Sequence, residues 1–148
     1  MTTMESFLAY LQAFEATYVD DDWSRLEALF APEAIYRVAG SELYDCELRG
    51  RDAVLTGLRR FLDGFDRKCE RRLELLGRPV VDCDSVRFRG VAYYRRGESP
   101  ELPVELEERI DFEDGRIVRL IDTYPRGLAE RSAAWLAKWG ADLEMSYV

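Results

Sequence analysis

The sequence predicts one α+β domain spanning residues 1–148. It would consist of a curved, antiparallel (mixed) sheet wrapped over about three N-terminal helices, with one more helix at the C-terminus. Two observations predict this. Helical periodicity dominates up to about Leu62, and from Lys68 to Tyr124 the hydrophobic period changes to two. Within that second half, Asp114-Gly115 is flanked by alternating residues, the pattern of a tight hairpin. Runs of helices followed by runs of strands form α+β folds, and a curved sheet laid over helices would enclose a pocket. A chain of 148 residues is long enough to bury about 70% of its unfolded surface.

Thr2 to Tyr18 reads as the first helix. Thr2 and Glu5 have capping-box spacing, and Phe7, Leu11, Phe14 and Tyr18 form one face. Asp20-Asp21-Asp22 then reads as the cap of a second helix, Trp23 to Phe30, stopped by Ala31-Pro32. Ala34 to Val38 is the first strand, with Ala34, Tyr36 and Val38 on one face, and Gly40 to Gly50 is a loop or short hairpin. Arg51-Asp52 opens a third helix to about Leu62, burying Val54, Leu55, Leu58, Phe61 and Leu62, and Asp63-Gly64 ends it.

The next strand places Cys69, Arg71, Leu73 and Leu75 on one side, and Gly77-Arg78-Pro79 breaks it. In Val86 to Arg96, Val86, Phe88, Ala92 and Tyr94 face one way, and Arg87, Arg89 and Arg95 face the other. The hairpin follows. Val104, Leu106, Ile110 and Phe112 share a face on its first strand, and Val118, Leu120 and Tyr124 share one on its second. Outward arginines beside outward Glu105 and Glu107 support pairing of neighbouring strands. That charged outer face is either a solvated sheet surface or a dimer contact. Leu128 to Trp139 is the last helix, and the tail to Val148 is expected to fray.

Composition narrows the chemistry. A net charge of −8 argues against nucleic acid and anionic membranes as partners. No apolar run of membrane-spanning length and no basic-then-apolar start is present, so neither a span nor a signal peptide is expected. Cys46, Cys69 and Cys83 are odd in number and lack metal spacing, which fits reduced thiols in a cytoplasmic protein. The chain has no histidine, which removes Ser-His and Cys-His pairs and most zinc sites. Acid-base chemistry must then come from carboxylates, Tyr, Lys or Cys.

Each hairpin strand carries one carboxylate on its apolar face, Glu108 on the first and Asp122 on the second. A buried carboxylate must be paired, hydrogen-bonded or protonated. Together with Tyr36, Arg71 and Tyr94, which share inward faces, they make five polar groups for one apolar cavity. Two readings stay open. Arg71 neutralises Glu108 or Asp122 in a buried ion-pair network, or the set is a small-molecule site. In the second reading Asp122 is the general base and Glu108 the general acid or oxyanion donor. Tyr36, Arg71 and Tyr94 then bind and position the substrate.

The segment LEALFAPEAIYRVAGSELYDCELRGRDAVLTGL, with Glu33-Ala34 before the strand and Gly50-Arg51-Asp52 opening the third helix, resembles the nuclear transport factor 2-like superfamily. DFEDGRIVRLIDTY, ending in Asp122 and Tyr124, is similar to its late hairpin. The resemblance spans nearly the whole chain. It implies a cone-shaped α+β barrel with a cavity for apolar small molecules, often as a homodimer, here through the outer sheet face. Members include SnoaL-like polyketide cyclases, ketosteroid isomerases, limonene epoxide hydrolases, scytalone dehydratases and non-catalytic binding proteins.

Carried over one position at a time, Phe14 stands where ketosteroid isomerases have a Tyr and Val38 where they have the base. Only Glu108 approximates their late acid. Asp122 lies where limonene epoxide hydrolases activate water, and Tyr36 matches a water-binding Tyr, but their companion Asn position is Val38. Asp122 also fits the SnoaL-like base, although the usual histidine is absent. The resemblance therefore implies a cofactor-independent isomerase, cyclase or hydratase, or alternatively a module that binds a small ligand or dimerises without chemistry.

Overall fold

The computed structural model describes residues 1–148. Helices α1 (Thr3–Asp20) and α2 (Ser24–Glu27) precede strands β1 (Phe30–Ala39) and β2 (Cys46–Arg49). Helix α3 (Arg51–Gly64) and a single 3-10 turn (Asp66–Lys68) lead into β3 (Glu70–Asp82), β4 (Ser85–Arg95), β5 (Leu102–Glu113) and β6 (Arg116–Thr123), and α4 (Leu128–Trp139) follows. The six strands form one mixed, curved and open sheet in the order β2-β1-β6-β5-β4-β3. The β1–β6 pair is parallel and every other pair is antiparallel.

The helices cover the concave face of the sheet. Thr2 caps α1 as its spacing implies, accepting from the Glu5 amide at 3.1 Å while Glu5 accepts from the Thr2 amide at 2.6 Å. Phe7 of α1 packs on Phe88 of β4, ring centres 5.2 Å apart. Val54, Leu58, Phe61 and Leu62 of α3 are buried beside Ala34, Tyr36 and Val38 of β1. Trp135 of α4 is buried, and its indole N–H donates to the Pro100 carbonyl at 2.9 Å.

Four local expectations are corrected. The second helix is one turn long and the chain is already strand at Phe30, because Ala31-Pro32 lies within β1. There β1 slips against β6 between Phe30 and Ile35, and a proline with no N–H to offer the ladder fits such an irregularity. Gly77-Arg78-Pro79 does not break β3. It is a bulge between Leu76 and Val80, with Gly77 at φ 78°. A slip in the β5–β6 hairpin, Ile110↔Leu120 but Phe112↔Ile117, turns Ile117 rather than Val118 into the core. The final residues do not fray. The Glu144 amide donates to the Gly64 carbonyl at 3.0 Å, and Tyr147 is buried.

The hairpin keeps the predicted form. Glu113 pairs with Arg116 across a two-residue turn, and Asp114 and Gly115 both have positive φ (51° and 77°). Such a turn matches the right-handed twist of the strands it joins, and it fixes the register of β5 on β6.

Candidate functional site

That register puts Glu108 directly opposite Asp122. Facing residues of adjacent antiparallel strands have Cβ atoms about 5 Å apart, so the two carboxyls project side by side from the concave face. Asp122 is 5% exposed, and Glu108 is half-buried and lines a cavity. Burial raises the Glu108 pKa well above the ordinary carboxylate range, and the charge of Asp122 raises it further. Burial raises Asp122 too, but hydrogen bonds from Glu108 and Tyr36 pull it back. These influences favour the proton on Glu108 over Asp122.

Tyr36 and Tyr147 fix Asp122. The Tyr36 hydroxyl donates to Asp122 Oδ2 at 2.5 Å, and the Tyr147 hydroxyl lies 3.1 Å from that of Tyr36. Tyr36 has one hydroxyl hydrogen and gives it to the carboxylate, so Tyr147 is the donor to Tyr36. Both phenols are held well above their ordinary pKa, chiefly by burial, and stay neutral donors. Asp122 Oδ1 is buried without a hydrogen-bond partner, and Glu108 is the carboxyl opposite it.

A second polar cluster lies at the start of β3. Arg71, whose side chain is 5% exposed, donates through Nη2 to Glu15 of α1 at 2.9 and 3.1 Å. Its guanidinium lies over the Tyr18 ring, 4.1 Å from the centre. Asp66, in the 3-10 turn, is buried and accepts from the Tyr94 hydroxyl at 3.2 Å. Burial pushes the Asp66 pKa up to about 6, against the pull of Arg71 and the Tyr94 hydrogen bond.

Both clusters line one cavity of about 300 Å³ between the sheet and helices α1 and α3. Most of its lining is apolar, including Tyr10, Phe14, Leu58, Phe61, Phe88 and Leu120. Tyr44 and Tyr147 close part of its wall, Tyr147 stacking on Phe61 with ring centres 4.4 Å apart. Leu73 and Leu75 also line it yet are 52% and 49% exposed, so the mouth lies between α1 and β3. A larger depression of about 620 Å³ beside Arg95–Gly97 and the end of α4 is charged, open to solvent and separate from both clusters. No group of three or more acidic or Cys side chains is arranged to hold a metal ion.

Tyr36, Arg71, Tyr94, Glu108 and Asp122 thus share a cavity but not a cluster. Tyr36 and Glu108 join Asp122, while Arg71 and Tyr94 join Asp66. The ion pairs of Arg71 are with Glu15 and Asp66, so it does not neutralise Glu108 or Asp122. Sequence reasoning missed Asp66, Glu15 and Tyr147. Asp66 falls in a turn with neither period, Glu15 lies off the apolar face of α1, and Tyr147 follows the last helix. An aromatic in a polar tail was the only signal available.

A family model described as a SnoaL-like domain matches residues 8–120. No curated protein matches the chain. Several solved structures share the fold. A provisionally named isomerase from Rhodopseudomonas palustris superposes with a TM-score of 0.72 at 16% identity, covering 87% of this chain and 96% of that one. A nuclear transport factor 2-like protein of unknown function from Burkholderia pseudomallei gives 0.66 at 18%, covering 88% and 95%. An LEH-like epoxide hydrolase from M. tuberculosis gives 0.61 at 18%, covering 91% and 97%. With the mixed open sheet, the covering helices and a family match over most of its length, the chain belongs to the SnoaL-like domain family of the nuclear transport factor 2-like superfamily.

Proposed function

We propose that the chain is an acid-base enzyme acting on a small apolar carbonyl compound, with Asp122 as base and Glu108 as acid. The observation that carries this reading is the Glu108–Asp122 pair, two facing carboxyls beside an apolar cavity with no cation to neutralise them. Two such groups take up one proton between them, which separates an acid from a base at neutral pH. Asp122 would remove a proton from the carbon beside the carbonyl while Glu108 gives its proton to the carbonyl oxygen. The products are an enol, a protonated Asp122 and an ionised Glu108. Reversal at the same carbon gives exchange; where the substrate has a β,γ double bond, the dienol takes the proton at the γ carbon instead, Glu108 recovers its own, and the double bond moves into conjugation, which is isomerisation. Tyr36, with Tyr147 behind it, holds the Asp122 carboxylate in place. No step calls for a cofactor.

The test is exchange of the α-protons of 2-tetralone in deuterated water. A positioned base contributes about 10²- to 10⁴-fold, so the parent should exceed both buffer and Asp122→Asn by about 100-fold or more. If 2-tetralone stabilises the protein against heat but exchanges no faster than in buffer, the cavity binds without catalysing.

A further inference from the structure

The Asp66–Arg71 cluster has an opening in it. Arg71 Nε is buried and has no hydrogen-bond partner. It stands 3.9 Å from Asp66 Oδ2, too far for a hydrogen bond. Two neighbouring atoms are already engaged: Arg71 Nη2 donates to Glu15, and Asp66 Oδ1 accepts from the Tyr94 hydroxyl. The Tyr18 hydroxyl holds the Asp66 backbone by donating to its carbonyl at 3.2 Å. Arg71 Nε–H, buried without a partner, thus stands beside Asp66 Oδ2, which belongs to a side chain buried in the same cluster, and both residues line the cavity.

An oxygen placed about 2.8 Å from each atom would bridge them, since two such bonds close a triangle on a 3.9 Å base. That oxygen must accept from Nε–H and donate to the carboxylate. A carbonyl or ether oxygen can only accept, a carboxylate is repelled by Asp66, and an ammonium can only donate. A hydroxyl does both. This end is also distant from the carboxyl pair. Tyr94 pairs with Leu102, six residues along β5 from Glu108.

We propose that Asp66 and Arg71 form a second, specificity-determining subsite that binds a hydroxyl group at the end of an apolar ligand remote from Glu108 and Asp122. This deepens the proposed function, on whose small-molecule cavity it rests. The substrate class becomes an apolar hydroxy-ketone rather than a plain ketone.

The test is a binding cycle using 2-tetralone and 6-hydroxy-2-tetralone as probes, with the parent, Asp66→Ala and Asp122→Asn. A hydrogen bond to a charged group contributes enough for about tenfold in affinity. The hydroxy compound should bind the parent about tenfold more tightly than 2-tetralone. That preference should vanish in Asp66→Ala and persist in Asp122→Asn. Equal affinity of the parent for the two probes overturns the proposal, as does a preference that survives in Asp66→Ala, or failure of both probes to bind. Retention of plain 2-tetralone binding by Asp66→Ala shows that the variant is folded. Hydroxyl-dependent binding without proton exchange leaves the subsite standing and removes only the catalytic reading.

Discussion

Three of the carboxyls that line the cavity are held under different constraints. Asp122 is held by a phenol, Glu108 by the charge of Asp122, and Asp66 by Arg71 and Tyr94. Asp66 gives a pH signature with a defined sign. Its folded pKa of about 6 exceeds the ordinary 3.8, so between these values the folded protein keeps a proton that the unfolded chain has released. Stability is then undiminished below the ordinary value and falls as pH rises toward 6. The groups facing Asp66 are Arg71, Arg67, Glu15 and Tyr94. Denaturant unfolding at about pH 4 and about pH 7 should show the parent losing on the order of 2 kcal/mol more than Asp66→Asn. Parallel losses in the two proteins would show that the carboxyl ionises freely in the fold. Glu108 and Asp122 were legible as apolar-face carboxylates because both lie where the strand alternation is unbroken, away from the slip beside the turn. Asp66 was not, because its burial comes from a turn pinned by contacts distant in sequence.

At the level of elements, the hairpin and the last segment do the positioning. The Asp114-Gly115 turn sets the register that opposes Glu108 and Asp122, and its chemistry was readable from two residues. Bulges were not readable. Gly77-Arg78-Pro79 reads as a break, yet β4 pairs with β3 on both sides of it and carries it as a distortion. The segment after α4 was equally opaque, because its order derives from α3. An added Cβ on Gly64 would collide with the Glu144 carbonyl, and one on Gly57 would lie 2.9 Å from the Tyr147 carbonyl. These two glycines let the chain lie against α3 and bring Tyr147 to Phe61 and Tyr36. Removing residues 144–148 takes away a buried aromatic, a loss of about 3–5 kcal/mol for a comparable core truncation. The truncated protein should melt several degrees lower and admit an apolar fluorescent dye more readily. Unchanged melting and dye uptake would show that the tail is not part of the cavity wall.

Across the whole molecule, an open mixed sheet with helices on its concave face encloses apolar volume that no core side chain fills. The fold class was legible because helical and strand periods occupy separate halves of the chain. That the five predicted polar residues share one cavity follows from the same alternation. Their division into two clusters depends on sheet curvature and on where α1 crosses β3, which a one-dimensional pattern does not carry. Arg71 shows this. Its inward facing was correct, but Glu15 on α1 lies nearer to it than either hairpin carboxylate.

The most direct test of the central claim, one proton shared by Glu108 and Asp122, is a carbon-13 NMR titration of the Glu108 side-chain carboxyl from about pH 4 to about pH 9. The Glu108 resonance should stay at its protonated position well above the ordinary carboxylate range. In Asp122→Asn, which removes the facing charge, the midpoint should fall. A Glu108 midpoint near the ordinary glutamate value, unchanged by Asp122→Asn, would mean that the two carboxyls titrate independently, and the acid-base assignment would be wrong.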